Sequence, residues 1–427
     1  SADELVLFLG TADRNYTELT DDNTDFSLDF NTQFNLNDEN TVEVKYGLSS
    51  FSRSREAETL RIGYSDINGG TNLSSSFDGV TDIDEIINEE NINNQLIAIR
   101  SETNPSDAYE ATWDLTAYYL MGEFFLGDWS KWLVGARAED SKLVVDTFTT
   151  GSTVFAPVAI KAEVDDSDIF PSLNSTLFLT EELQLRLGYY QTKNRPDFRE
   201  LANASFVDPE DGDVIKGNPD LVSALVDNYD ARIEWYFSDT ESVSFSYFNK
   251  SFDKPIERTL VTGGSLITFE NAESGDLSGF ELDFKKEFEL NGNLSAFLNG
   301  NYTMIESEVQ LVVDTVARNT EMQGQPDSLI NLQIGLDDLE GGREYTIVYN
   351  HQGETMYAVA EQGLPNVVKE PRGELNLNFS QEIDSGIKVK AKLKNITDEA
   401  ISLTQGGNIY REYKKGFEVS VGLSIPL

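Results

Sequence analysis

The sequence predicts an all-β protein, a transmembrane antiparallel β-barrel, and two features of the chain carry that prediction. Apolar residues recur at every second position through most of the 427 residues, which is the repeat of a strand with two chemically different faces. Short polar connections alternate with long ones between these segments. Because no apolar run approaches the length of a membrane-spanning helix, the chain either crosses a membrane as strands or does not cross one.

The strand period is clearest in residues 26–36. Phe26 and Leu28 share one face there, and Ser27 between them lies on the other. The same period returns in residues 42–48, 183–189, 243–247, 280–284, 375–379, 387–393 and 417–425. These repeats predict about fifteen strands, and Asp3–Gly10 is a candidate sixteenth because single-chain barrels have an even number of strands.

The connections differ in length at the two ends of the predicted sheet. The short ones are rich in Gly, Asn, Asp and Ser and lie at 37–40, 127–130, 180–182, 238–241, 291–293, 339–342 and 384–386. The long ones lie near 66–105, 150–164, 200–226, 258–274, 310–326, 360–367 and 398–408. Short periplasmic turns and long extracellular loops are typical of an outer-membrane barrel. We therefore assign residues 1–427 to a single barrel portion.

The segment 387–394 indicates which solvent each face of a strand meets. Its polar positions are all lysines, at 388, 390, 392 and 394. Because a row of charges belongs in water, this face is predicted to line a wet lumen, while the alternating apolar residues face lipid.

Composition excludes several kinds of function. The chain has no Cys and a single His, His351, so it cannot build a thiolate nucleophile, a Cys-rich metal site or a disulfide framework. A net charge of −43 repels phosphate backbones and argues against nucleic-acid binding. Carboxylates are too abundant for any pair of them to indicate glycosidase chemistry. The protein is therefore not predicted to be an enzyme.

A set of motifs is more specific than the strand period. They are Arg195-Pro196-Asp197-Phe198-Arg199-Glu200-Leu201, Gly217-Asn218-Pro219-Asp220-Leu221, Asp227-Asn228-Tyr229-Asp230, Glu234-Trp235-Tyr236-Phe237, Lys254-Pro255-Ile256-Glu257 and Lys394-Asn395-Ile396-Thr397-Asp398. In combination they resemble the barrel domain of TonB-dependent outer-membrane receptors, and the likeness runs from residue 24 to residue 425.

The resemblance implies a barrel of about 22 strands closed by an N-terminal plug, which the TonB complex pulls after a ligand has bound. This sequence shows no recognisable plug, no TonB box and about six strands too few, so we expect it to be the C-terminal part of a longer chain. Its ending, Ile425-Pro426-Leu427, departs from the aromatic ending of the family. The implied location is the outer membrane of a Gram-negative cell. The implied partners are membrane lipid, the TonB complex through the plug and a nutrient ligand, and a surface lipoprotein is a further candidate.

The motif residues are predicted to serve structure rather than ligand binding. They are Arg195, Pro196, Phe198, Glu200, Leu201, Gly217, Asn218, Pro219, Leu221, Asn228, Asp230, Glu234, Pro255, Ile256 and Glu257. The sequence Gly-Asn-Pro is typical of a tight turn. A charge pair is expected between Arg195 and Glu200. No ligand-binding residue is predicted.

Two loop features are candidates for other roles. Four carboxylates surround a glycine at Asp208, Glu210, Asp211 and Asp213. They resemble a Ca²⁺ loop, but Pro219 stands where the bidentate Glu would be needed, so a solvated acidic loop is the alternative. No other cofactor is predicted. Residues 81–90 are predicted to form a short surface helix, capped at Thr81, with its acidic residues in solvent.

The resemblance implies an active-transport receptor that binds a scarce nutrient at its extracellular loops and imports it with TonB-coupled energy. Iron chelates, cobalamin, glycans and peptides are the cargoes of the family, and the loop sequences do not separate them. Two alternatives stay open. One is a free-standing porin of about sixteen strands, which fits the chain length, and the other is a surface adhesin barrel whose acidic loops bind proteins or cations.

Overall fold

The computed structural model describes residues 13–37, 40–66, 82–149, 156–207, 213–261, 266–313, 316–360, 364–383 and 386–425. The strands are β1 (Asp13–Asn35), β2 (Asn40–Asp66), β3 (Ile97–Ser101), β4 (Ala108–Leu126), β5 (Ser130–Phe148), β6 (Ala159–Phe178), β7 (Leu183–Asn194), β8 (Ser205–Val207), β9 (Val214–Lys216), β10 (Ala224–Tyr236), β11 (Ser242–Asp253), β12 (Ile256–Val261), β13 (Leu266–Asn271), β14 (Ser274–Asn291), β15 (Leu294–Val313), β16 (Val316–Thr320), β17 (Ser328–Asp338), β18 (Arg343–Gln352), β19 (Thr355–Ala358), β20 (Val367–Lys369), β21 (Arg372–Ile383), β22 (Ile387–Lys394), β23 (Ile401–Gln405), β24 (Asn408–Tyr413) and β25 (Glu418–Ser424). The helices are α1 (Ile83–Ile86), α2 (Glu89–Asn93) and α3 (Phe198–Leu201), with a 3₁₀ turn at Pro105–Asp107. Within these ranges, no helix has the length and apolar character needed to span a membrane.

Among the described residues, fifteen strands form one antiparallel meander in which each strand pairs with the one before it. Their order is β1, β2, β4, β5, β6, β7, β10, β11, β14, β15, β17, β18, β21, β22 and β25. This order confirms the predicted strand number and the predicted short turns, each of which joins two consecutive strands of the meander. The candidate strand Asp3–Gly10 lies outside the described residues.

The strands and the long connections both have more structure than the sequence period shows. The strands are not limited to membrane-spanning segments, because β1 has 23 residues and β2 has 27, which at roughly 3.3 Å per residue is more than twice the hydrocarbon thickness of a bilayer. The long connections are also not plain loops. β6 already begins inside the predicted connection 150–164, and other connections contain short strands. Long projecting segments satisfy their backbone hydrogen bonds by pairing with each other.

The pairing register gives the meander two chemically different faces. On the outer face, exposed aromatic side chains meet across strands, as where Phe30 stacks on Tyr46 with ring centroids 5.3 Å apart. The opposite, inner face carries ionised side chains. There Arg53 donates to Asp21 at 2.8 Å, and the register places the lysine row of β22 on the same side, with Lys388 3.3 Å from Glu382.

Two small sheets made by the long connections lie against the inner face. The first loop sheet contains β12, β13, β9 and β8, and the second contains β19, β20, β23 and β24. They meet where Thr259 bridges Val359. The main hydrophobic core lies between these loop sheets and strands β4, β5 and β6, and it includes Val145 of the meander, Leu201 of α3 and Ile267 of the first loop sheet. We call α3 and the two loop sheets the cap.

The predicted surface helix at 81–90 is present as two single turns, α1 and α2. Asn88 caps α2 by accepting the Asn91 N–H at 2.9 Å, whereas the predicted cap at Thr81 lies outside the described residues. Ile86 packs on Ile97 with about 1% of its surface exposed. The acidic residues of this segment are exposed, as predicted.

Candidate functional site beneath the loop sheets

The motif Arg195–Leu201 forms α3 and the residues leading into it. A capping box closes this single turn, because Asp197 accepts the Arg199 N–H at 3.0 Å and Glu200 accepts the Asp197 N–H at 2.8 Å. The helix is too short to be stable alone. Its position is therefore determined by what its side chains contact.

Phe198 fixes α3 to the inner face of β2. Its ring is about 2% exposed, and the guanidinium carbons of Arg53 and Arg55 lie 5.2 and 5.3 Å from the ring centre. Both arginines also bind Asp21 of β1. The aromatic ring is thus held by two cations that the neighbouring strand has already oriented.

The prediction of a charge pair between Arg195 and Glu200 was wrong. Arg195 instead donates to Glu139 of β5 at 2.9 Å, and its Nε lies 3.6 Å from Asp166 of β6. The reason is that the Glu200 carboxylate is already engaged at the N-terminus of α3, while Arg195 precedes the helix and faces the strands. These carboxylates are remote in sequence, so the local motif gave no signal for them.

Gly217 and Asn218 join α3 to the first loop sheet. A Cβ at Gly217 would lie 2.2 Å from the carbonyl oxygen of Ala202, so only glycine fits. The Asn218 N–H donates to the Glu200 carbonyl at 2.6 Å, and its side chain donates to the Phe269 carbonyl at 2.8 Å. Asn218 also accepts the N–H two residues later at 3.0 Å, which is the predicted turn chemistry.

The remaining motif residues lie on strands or against them. Asn228 is buried, accepts from Lys250 at 2.6 Å and donates to the Tyr190 carbonyl at 3.1 Å. Glu234 accepts from Arg232 at 2.8 Å. Pro196, Leu201, Leu221 and Pro255 are buried, and Pro219, Asp230 and Ile256 are half-buried.

Only one of the four Ca²⁺ candidates belongs to the described residues. Asp213 is about 6% exposed and accepts from Tyr357 Oη at 2.7 Å and from Arg411 at 2.5 Å. Its carboxylate therefore links the first loop sheet to the second. Asp208, Glu210 and Asp211 lie outside the described residues, and among those that are described no three ligating side chains form a metal-holding group.

Glu257 is a buried carboxylate that the motif analysis did not single out as ionisable. It is about 2% exposed and accepts the Gln323 N–H at 3.1 Å. The Gln323 side chain in turn bonds both the backbone N–H and the carbonyl of Arg258. Burial raises the pKa of Glu257 to about 7.

A cavity of about 400 Å³ lies beside these contacts, between the cap and the end of β18 at Gln352. Its polar and aromatic lining includes Glu200, Arg258, Phe269, Gln323, Tyr357 and Lys369. Burial, reinforced by the charge of nearby Asp197, raises the pKa of Glu200. The volume suits a small ligand. Sequence reasoning missed this site because its lining comes from several separate connections.

This fold defines the class of the protein as a β-barrel of the outer-membrane type. The sequence profile described as "TonB dependent receptor-like, beta-barrel" matches residues 6–396, and the chain belongs to that family, whose members are transporters and not enzymes. No curated protein matches the chain.

Several solved structures share the fold. The siderophore receptor PiuA from Acinetobacter baumannii superposes with a TM-score of 0.63 at 12% identity, over 95% of this chain and 56% of that one. The ferric citrate transporter FecA in its unliganded form superposes with a TM-score of 0.60 at 11% identity, over 96% of this chain and 54% of that one. The ferric-catecholate import receptor Fiu from E. coli K12 superposes with a TM-score of 0.53 at 10% identity, over 91% of this chain and 58% of that one. The chain thus spans a little over half the length of these receptors.

Proposed function

We propose that this chain is the barrel part of an outer-membrane receptor that binds a scarce ferric chelate at its extracellular loops and imports it with energy from the TonB complex. Family membership supports energy-coupled transport. The choice of iron follows the names of the fold neighbours, which are a siderophore receptor and a ferric citrate transporter. Membrane lipid around the strands and contact with TonB through a plug belong to the same proposal.

The observation that carries the recognition step is the cap. Long connections fold over the inner face, and the cavity lies among residues from both loop sheets. A solute arriving from outside would meet these side chains before it reached the lumen. The outer face with its exposed aromatic side chains suits lipid contact, so loops rather than strands would supply selection.

The test uses the full-length receptor gene in its own host under iron limitation. Uptake of radioactive iron, supplied as the chelates in the host's own spent medium, is compared between the intact strain, a receptor deletion, its complemented derivative and a strain without TonB. We expect uptake to fall in both deletions and to return on complementation. Equal uptake with and without the receptor gene would contradict the proposal.

A further inference from the structure

The outer face of the hairpin formed by β1 and β2 carries two separate apolar regions. One includes Phe30 and Tyr46, near the short turn, and the other lies at the opposite end of the same strands. Between them, from Leu48 to Leu60, the residues of β2 on this face are all polar, namely Ser50, Ser52, Ser54, Glu56 and Glu58. From Leu48 to Leu60 is roughly 40 Å along the strand.

We call the far apolar region the tip patch, and its residues are Tyr16, Leu60, Ile62, Tyr64 and Ile99. The register places Tyr16 opposite Leu60 and Tyr64 opposite Ile99, so these side chains form one surface across β1, β2 and β3. Tyr16 is 51% exposed, Leu60 44% and Ile99 54%. Because the hydrocarbon of a bilayer is roughly 30 Å thick, lipid that covers the near region cannot also cover the tip patch. A contiguous apolar surface in water is typical of a protein interface.

Carboxylates border the tip patch on two sides. On the membrane side, Glu18 stands directly opposite Glu58, and Glu56 stands directly opposite Glu110. All four line one open concavity of about 490 Å³ on this face. On the far side are α1 and α2, whose acidic residues are exposed, and α1 packs on the strand next to the patch. An apolar centre within a polar rim is the usual anatomy of a protein–protein interface.

The four glutamates have no cation of this chain beside them. Like charges directly opposite each other on neighbouring strands destabilise a sheet, and within the described ranges none of the four forms an ion pair. The stretches between and beyond those ranges contain no Lys or Arg. Arg14 belongs to the same face, but it stands opposite Ile62 and lies beyond Tyr16 from Glu18. Positive charge that pairs with these glutamates therefore comes from another molecule.

A second copy of this chain is a poor source of that charge. Two copies in one membrane stand at the same height, so a contact between their tip patches would also bring the glutamates of one copy towards those of the other. The net charge of −43 adds to this repulsion. The acidic rim instead complements a surface that carries Lys and Arg.

We propose that the tip patch and the glutamates beside it form a docking surface for a second protein, whose contact surface presents apolar side chains ringed by Lys and Arg. Burial of Tyr16, Leu60 and Ile99 would supply most of the affinity, and the opposite charges of the two rims would select the partner and speed the encounter. The cap lies on the inner face, so a protein docked on the outer face leaves the cap open to solutes. The inference is thus independent of the cargo and goes beyond the proposed transport function.

The test is photo-crosslinking of the full-length receptor in its own host. The photoreactive amino acid p-benzoylphenylalanine replaces Tyr16 in one strain and Tyr46 in another, because both are exposed tyrosines on the same face of the hairpin. We expect the Tyr16 strain to form an adduct with a second protein, and mass spectrometry to locate the crosslink in a segment that has apolar residues and a net positive charge. The Tyr46 strain, with its photoreactive group in the lipid-facing region, should form no protein adduct.

Two sets of substitutions in the strain with the photoreactive tip test what holds the partner. Glu56→Gln/Glu58→Gln should lower the adduct yield roughly tenfold, about threefold for each lost charge contact. Leu60→Ser should lower it by a similar factor through lost apolar burial. The matched control, Glu181→Gln/Glu289→Gln, removes two exposed carboxylates at the short-turn end and should leave the yield unchanged.

Several results would overturn the docking surface. They are no adduct at Tyr16, an adduct only with lipopolysaccharide or with a second copy of the receptor, the same adduct from Tyr46, a crosslinked segment with net negative charge, or equal yields in the two double variants. Heat-modifiable migration of the barrel on gels shows that each variant is folded. Crosslinking needs neither cargo nor TonB, so its failure would leave the iron-uptake test of the proposed function unaffected.

Discussion

Truncation of Phe198 to alanine tests how α3 is held against the meander. The ring is about 2% exposed, and removing a buried Phe costs about 3–5 kcal/mol. The two cation–π contacts, with Arg53 and Arg55, add about 0.5–1 kcal/mol each where they are partly exposed. We therefore expect the free energy of opening α3 to fall by about 4–7 kcal/mol, which is an increase of roughly 1,000-fold or more in its open fraction.

Hydrogen–deuterium exchange of the full-length receptor, followed by mass spectrometry, measures that opening directly. Peptides containing α3 should exchange faster, while peptides from β5 should not change, because their backbone partners are in the meander. Phe198→Leu is the matched control. It keeps most of the apolar volume but loses the aromatic face, so we expect the free energy of opening α3 to fall by only about 1 kcal/mol. If exchange in α3 rises less than about tenfold in Phe198→Ala, the ring does not hold the helix and this reasoning fails.

Three further substitutions probe the cap. Burial raises the pKa of Glu257 to about 7, so the folded state holds this proton more tightly than the unfolded state, and local stability falls as pH rises from about 4.5 to 7. The free energy of local opening, measured by amide exchange, should therefore be the same in Glu257→Gln and the wild type at pH 4, and at pH 8 it should be higher in Glu257→Gln by up to ~3 kcal/mol. A difference that does not change with pH would refute this assignment. Gly217→Ala should lower the free energy of local opening of the motif segment by about 3 kcal/mol. The new Cβ would lie 2.2 Å from a carbonyl oxygen, so the Asn218 hydrogen bonds must break. Gly292→Ala, with nothing within 4 Å, should have no effect, and equal exchange in the two variants would contradict the packing argument. Arg411→Gln should raise protease cleavage of the loop sheets because it leaves buried Asp213 without its cation, and Asp213→Asn in the same chain should restore part of the resistance.

The amino-acid sequence by itself determined the strands, their two faces and the alternation of short and long connections. These features depend on neighbours within a few residues, because the side-chain repeat of a strand is two and a tight turn needs its own Gly, Asn or Asp. For the same reason the Gly-Asn-Pro turn and the aqueous side of the β22 lysines could be predicted. The motifs also identified the family before any contact was known.

Tertiary structure alone decided the contacts of the candidate site. Arg195 meets Glu139 and not its near neighbour Glu200, and the long connections build sheets over the inner face where plain loops were expected. Arg258 and Lys369 come from separate connections, yet they line one cavity. Which charges meet depends on how the loop sheets dock on the meander, and a local pattern in the chain carries no information about that docking.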